Sequence, residues 1–86
     1  MRTFAYTITD AQGIHARPAG LLAREARAFA DTVITVTKDG NAVRASQLMK
    51  LMGLGVKRGD RVTVTAEGAG EDAAIAALEA FFRANL

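Results

Sequence analysis

Thr32-Val33-Ile34-Thr35-Val36-Thr37, followed by Lys38-Asp39-Gly40-Asn41 and Ala42-Val43-Arg44, is the stretch on which the fold turns. Its first part is an unbroken β-branched run, and β-branched side chains favour extended backbone. Asp-Gly between that run and a second short segment is a strong hairpin signal. The stretch therefore predicts two antiparallel strands. A lone hairpin is marginally stable in water, so the rest of the chain must supply more strands and a cover. Further along, residues 61–67 alternate, with Val62, Val64 and Ala66 on one side. At the other end Phe4, Tyr6 and Ile8 face one way while Thr3, Ala5, Thr7 and Thr9 face the other. Both segments read as half-buried strands.

The segments between the strands carry a different period. Ala19, Leu22, Ala23, Ala26 and Phe29 recur at helical spacing, with Arg24 and Arg27 on another face. Pro18 suits the first turn of that helix, where its missing N–H costs nothing, so the helix is expected to begin directly after His15. Ser46 is expected to cap a short helix carrying Leu48, Met49, Leu51 and Met52, which Gly53 and Gly55 end. A last helix follows Gly68-Ala69-Gly70. Glu71 and Asp72 at its start and Arg83 near its end complement the helix dipole, and Ala74, Ile75, Leu78, Phe81 and Phe82 form its apolar stripe. The predicted order is strand, helix, strand, strand, helix, strand, helix. This is an α+β domain over residues 1–86, one antiparallel sheet with helices on one face.

Composition narrows the functional classes. The 86 residues are 50% hydrophobic and 23% charged, as in globular rather than disordered chains. There is no cysteine, which excludes disulfides and thiol chemistry, and a single histidine cannot build a multi-histidine metal site. No cofactor or metal is expected. The apolar stretches fall far short of a bilayer span, and residues 1–4 lack the pattern of a secretory signal, so a cytosolic location is expected. The net charge of +2 comes without any basic block, and one Tyr, four Phe and no Trp offer few base-stacking platforms. Nucleic-acid binding has little support. A local basic patch facing an acidic protein fits the same charge count.

The segment with chemical content is Gly13-Ile14-His15-Ala16-Arg17-Pro18-Ala19. It places the only histidine at the N-terminal edge of a helix. The first amides of a helix have no intrahelical acceptor and sit at the positive end of its dipole. An anion on the imidazole would meet those N–H groups, those of Ala16 and Arg17, while the Arg17 guanidinium offers a second, mobile set of donors. A neutral imidazole nitrogen is a nucleophile near neutral pH, which suits transient phosphorylation. Spacing alone leaves a plainer reading open, in which His15 is surface decoration or a capping aid and Pro18 only starts the helix.

This segment, with Thr7-Ile8-Thr9 before it and Leu54-Gly55 after the short helix, resembles the HPr family of the bacterial phosphoenolpyruvate-dependent sugar phosphotransferase system. The similarity extends over essentially the whole chain. It implies an open-faced β-sandwich of four antiparallel strands and three helices. It also implies that His15 accepts a phosphoryl group from phospho-Enzyme I on Nδ1 and passes it to sugar-specific IIA domains, with Arg17 steadying the group. Such a protein is a monomeric carrier regenerated by its partners rather than a free-standing enzyme. Two alternatives stand beside it: a regulatory docking module of the same fold, and a carrier of a nitrogen-related branch with no direct role in sugar uptake.

The resemblance further implies a mixed apolar and basic docking face built from Arg24, Arg27, Leu48, Met49, Lys50 and Met52. The residues by themselves leave this open. Met49 and Met52 suit either core or interface, Leu51 suits the core, and Arg24 and Arg27 suit a solvated helix face. Many family members carry a regulatory serine at the start of the second helix. Counting back from Leu54-Gly55 puts Gln47 at that place and Ser46 one residue earlier, so no regulatory serine is expected. The same count assigns one extra residue to the hairpin around Asp39-Gly40.

Overall fold

The computed structural model describes residues 1–86. Its elements are β1 (Arg2–Thr7), α1 (Ala16–Arg27), β2 (Thr32–Lys38), β3 (Asn41–Arg44), α2 (Leu48–Gly53), β4 (Arg61–Gly68) and α3 (Glu71–Asn85). The hairpin forms as its sequence predicts. Lys38 pairs with Asn41 across a two-residue loop, and Asp39 and Gly40 both take positive φ, at 50° and 82°. That geometry matches the right-handed twist of the flanking strands. A two-residue loop holds no extra residue, so the one assigned to the hairpin by counting is not there.

The strands form one antiparallel sheet in the order β1-β4-β2-β3. The sequence pattern leaves this order open. β4, last in the chain, lies between β1 and β2 and pairs with both, Phe4 and Val36 each standing opposite Val64. One face is covered and the other open. Ile34, Val36, Val62, Val64 and Ala66 point into the core, whereas Thr3, Ala5, Thr7 and Thr63 stand exposed on the bare face. Threonine suits that face, its branched side chain favouring the strand while its hydroxyl meets water.

Helix α1 buries Pro18, Ala19, Leu22, Ala23 and Ala26, and α3 buries Ala74, Leu78 and Phe82. The small alanines let the helices approach each other and the sheet closely. Phe29 falls beyond the end of α1 and fills the edge of the core, half-buried, from the following loop. At the centre Phe82 meets Phe4 and Tyr6 of β1 edge-on, with ring centroids 5.6 and 5.7 Å apart. This contact locks α3 to the outer strand. No helix is long and apolar enough to cross a membrane.

The start of α2 differs from expectation. Its N-cap is Gln47, which makes no side-chain capping bond, and Ser46 lies in the preceding turn. The cause is upstream. Ala45 is fully buried and extends the sheet ladder through its N–H to Ile34 O, and the turn closes from Gln47 N to Arg44 O. Ser46 is therefore consumed by the turn, one residue too early to cap.

Candidate functional site

His15 sits where the sequence places it, as the N-cap of α1 with extended backbone (φ −100°, ψ −176°). Its carbonyl accepts the first helical bond, from Ala19 N at 2.9 Å. Pro18 has no N–H, and the amides of Ala16 and Arg17 have no acceptor within the protein. No acidic residue lies in the first turn to neutralise that end of the dipole. Two free donors thus stand beside a half-exposed imidazole, at the positive end of a twelve-residue helix. Arg17 is exposed and makes no ion pair, so its guanidinium is free to reach an incoming anion.

The loop that presents His15 is held from two sides. Ile14 N donates to Val56 O at 3.1 Å, and Leu86 O accepts from Thr9 N (2.6 Å), Asp10 N (2.8 Å) and the Thr9 hydroxyl (3.1 Å). Gly13 makes the first attachment possible. Its φ is +67°, and a Cβ there would lie 2.2 Å from Val56 O. Gly13→Ala should therefore cost about 2 kcal/mol or more, combining left-handed backbone strain with a backbone collision. Urea unfolding measures it; an unchanged midpoint would mean the two loops separate freely.

The Val56 side has its own clamp. The Asp60 carboxylate accepts from Lys57 N at 2.8 Å and pairs with Lys38 Nζ at 3.0 Å, while Lys38 also donates to Gly55 O at 3.0 Å. The Lys57 N–H, then the Lys38 ammonium, hold the Asp60 carboxyl below the usual carboxylate range. These contacts pin the end of β2 to the segment that backs the His15 loop.

A shallow concavity of about 280 Å³ opens beside the imidazole, lined by Asp10, His15, Arg17, Pro18, Leu21 and Asn85. Three of these, Asp10, Leu21 and Asn85, are not among the candidate site residues expected from the sequence. Leu21 carried a signal, being an apolar side chain one turn beyond Arg17 and outside the buried stripe, and it is 43% exposed. By sequence Asp10 is only a turn residue, and Asn85 is brought to the site by the packing of α3.

Of the residues expected to form a docking face, Met49 and Met52 lie on the surface at 77% and 39% exposure, whereas the neighbouring Leu51 is fully buried. Lys50 and Arg24 are exposed; Leu48 is half-buried against the core. Arg27 is exposed but not free-standing, because its Nη2 donates to Ser46 O at 2.9 Å and ties the end of α1 to the turn before α2.

The family described as PTS HPr component phosphorylation site matches residues 2–84. Phosphocarrier protein HPr of Mycoplasma genitalium is 39% identical over 85 residues, spanning 99% of this chain and 97% of that one. The HPr-C-His structure from Thermoanaerobacter tengcongensis superposes with a TM-score of 0.92 at 38% identity, covering 98% and 93% of the two chains. The multiphosphoryl transfer protein of Vibrio cholerae is 38% identical over 86 residues, which are 98% of this chain and 22% of that protein. The chain belongs to the HPr family of phosphocarriers of the phosphotransferase system.

Proposed function

We propose that this protein is a cytoplasmic phosphoryl carrier in which His15 Nδ1 accepts a phosphoryl group from phospho-Enzyme I and passes it to sugar-specific IIA domains. The observation that carries this reading is the pair of acceptor-free amides, Ala16 and Arg17, beside the only imidazole. The chemistry follows from that placement. The Nδ1 lone pair attacks phosphorus, the donor's leaving atom keeps the electrons of the broken bond, and the charge on the phosphoryl oxygens is met by fixed N–H dipoles and the Arg17 guanidinium. The P–N bond is labile, so the group can move on. Arg24, Arg27, Leu48, Met49, Lys50 and Met52 form the docking face, and methionine there adapts its shape to successive partners. A monomer is the simplest form for a carrier that must present His15 to each partner in turn.

The test is intact mass after incubation with phosphoenolpyruvate and a bacterial Enzyme I. One acid-labile phosphoryl adduct is expected. None, with the Enzyme I shown active on another carrier, would overturn the reading in favour of a docking module. In the same assay Arg17→Ala should slow charging roughly tenfold. Deleting a buried oxyanion donor costs about 10²–10³, but the exposed guanidinium leaves both amides in place. An unchanged rate would remove Arg17 from the mechanism.

A further inference from the structure

We propose that Asp10 is a positioning residue for His15, its carboxylate facing the Nε2–H as acceptor and so keeping the proton on Nε2 and leaving the Nδ1 lone pair as the nucleophile. Asp10 Oδ1 lies 3.8 Å from His15 Nε2, longer than a hydrogen bond but within ion-pair range. The carboxylate is not adrift. Oδ1 accepts from Gln12 N at 2.8 Å, and Asp10's own N–H donates to Leu86 O at 2.8 Å, so both its side chain and its backbone are held. No cation pairs with Asp10 apart from the imidazole. Which imidazole nitrogen carries the proton is set by the partner of the other. A carboxylate at Nε2 favours the Nε2–H tautomer, and that tautomer has its lone pair on Nδ1.

The inference rests on phosphorylation at Nδ1 and adds a step to it. When the Nδ1 lone pair forms the bond to phosphorus and the donor's P–X bond breaks toward the donor, Nε2 keeps its proton. The ring then carries a positive charge that the Asp10 carboxylate faces, and the 3.8 Å contact shortens to a hydrogen bond, as contacts of this kind tighten along a reaction. The negative phosphoryl group grows on the other nitrogen, beside the amides and Arg17. Both side chains are about one-third exposed, 36% for His15 and 33% for Asp10. The effect is therefore that of a solvent-screened pair, roughly two- to fivefold in rate, and not the ~10⁴ of a buried triad aspartate.

Asp10→Asn and Asp10→Ala separate this role from a structural one. Asparagine keeps an oxygen for Gln12 N and so preserves the turn but not the charge; alanine removes both. Two quantities are read. The first is the tautomer of neutral, unphosphorylated His15 from its imidazole nitrogen-15 shifts, unambiguous because the chain has one histidine. The second is kcat and KM for charging by phosphoenolpyruvate and Enzyme I. The expected result is that both variants gain Nδ1–H tautomer relative to the parent and lose about two- to fivefold in kcat, with KM unchanged. Asp10→Asn behaving as the parent in both readouts would overturn the proposal, since the turn alone would then explain Asp10. Faster charging of Asp10→Asn would overturn it too, because the carboxylate would then act by repelling the phosphoryl group. A parent that takes up no phosphoryl group sinks the carrier reading, while the tautomer comparison still decides the Asp10–His15 contact.

Discussion

His15→Ala is expected to abolish phosphoryl uptake completely while leaving the fold in place. The two halves of that expectation have separate causes. Uptake fails because the chain has no second histidine and no cysteine, so no other side chain offers a comparable nucleophile. The fold survives because the imidazole makes no capping bond, is half-exposed, and lies outside the core. Its backbone angles, φ −100° and ψ −176°, are open to alanine without strain. The stability change should therefore stay within about 0.5 kcal/mol. Intact mass reads the first half and urea unfolding the second. An adduct persisting on the variant would place the acceptor elsewhere. A large loss of stability would show that His15 holds the loop as well as the phosphoryl group.

Phe82→Ala should have the opposite signature, a large loss of stability while phosphoryl uptake persists on the folded fraction. Phe82 is fully buried and meets Phe4, Tyr6 and Phe81 edge-on, with centroids 5.6, 5.7 and 6.3 Å away. Truncating a buried phenylalanine costs about 3–5 kcal/mol. A domain of 86 residues has roughly 4–13 kcal/mol in total, at 0.05–0.15 kcal/mol per residue. The variant is thus brought close to its unfolding threshold. At about 4–8 °C per kcal/mol, its thermal midpoint should fall by more than about 10 °C. A smaller drop in calorimetry would mean that β1 and α3 close over the vacated space. Because Leu86 also anchors Thr9 and Asp10, weakening the end of α3 should loosen the His15 loop before the rest of the sheet.

The legible and illegible parts of this protein divide along a physical line. The β-branched run before Asp39-Gly40 predicts a hairpin, and the hairpin forms, because strand propensity and turn chemistry are local properties of the backbone. The helix beginning after His15 is local in the same sense. The buried Ala19, Leu22, Ala23 and Ala26 of α1 and Ala74, Leu78 and Phe82 of α3 follow from periodicity, whereas Ile75 and Phe81, expected in the buried stripe, are only half-buried at its margin. The Gly-Ile-His-Ala-Arg-Pro-Ala string carries the family as well, since its residues are contiguous in the chain.

Other features needed the packed molecule. The cap of α2 moves from Ser46 to Gln47 because Ala45 is drawn into the core and forces the turn to come first. β4 lies between β1 and β2 because pairing with both buries Val62 and Val64, a gain that no single segment displays. Asp10 faces His15 with its backbone held by Leu86, from the far end of the chain, whose carbonyl accepts from Thr9 N and Asp10 N. By itself the sequence determined the elements, the open-faced sheet and the histidine at a helix start, all set by neighbours within a few residues. Only the tertiary structure decided the strand order, the true cap of α2 and the groups that surround the imidazole, because those depend on contacts between separate elements, from Ala45 on Ile34 to Leu86 on Thr9 and Asp10.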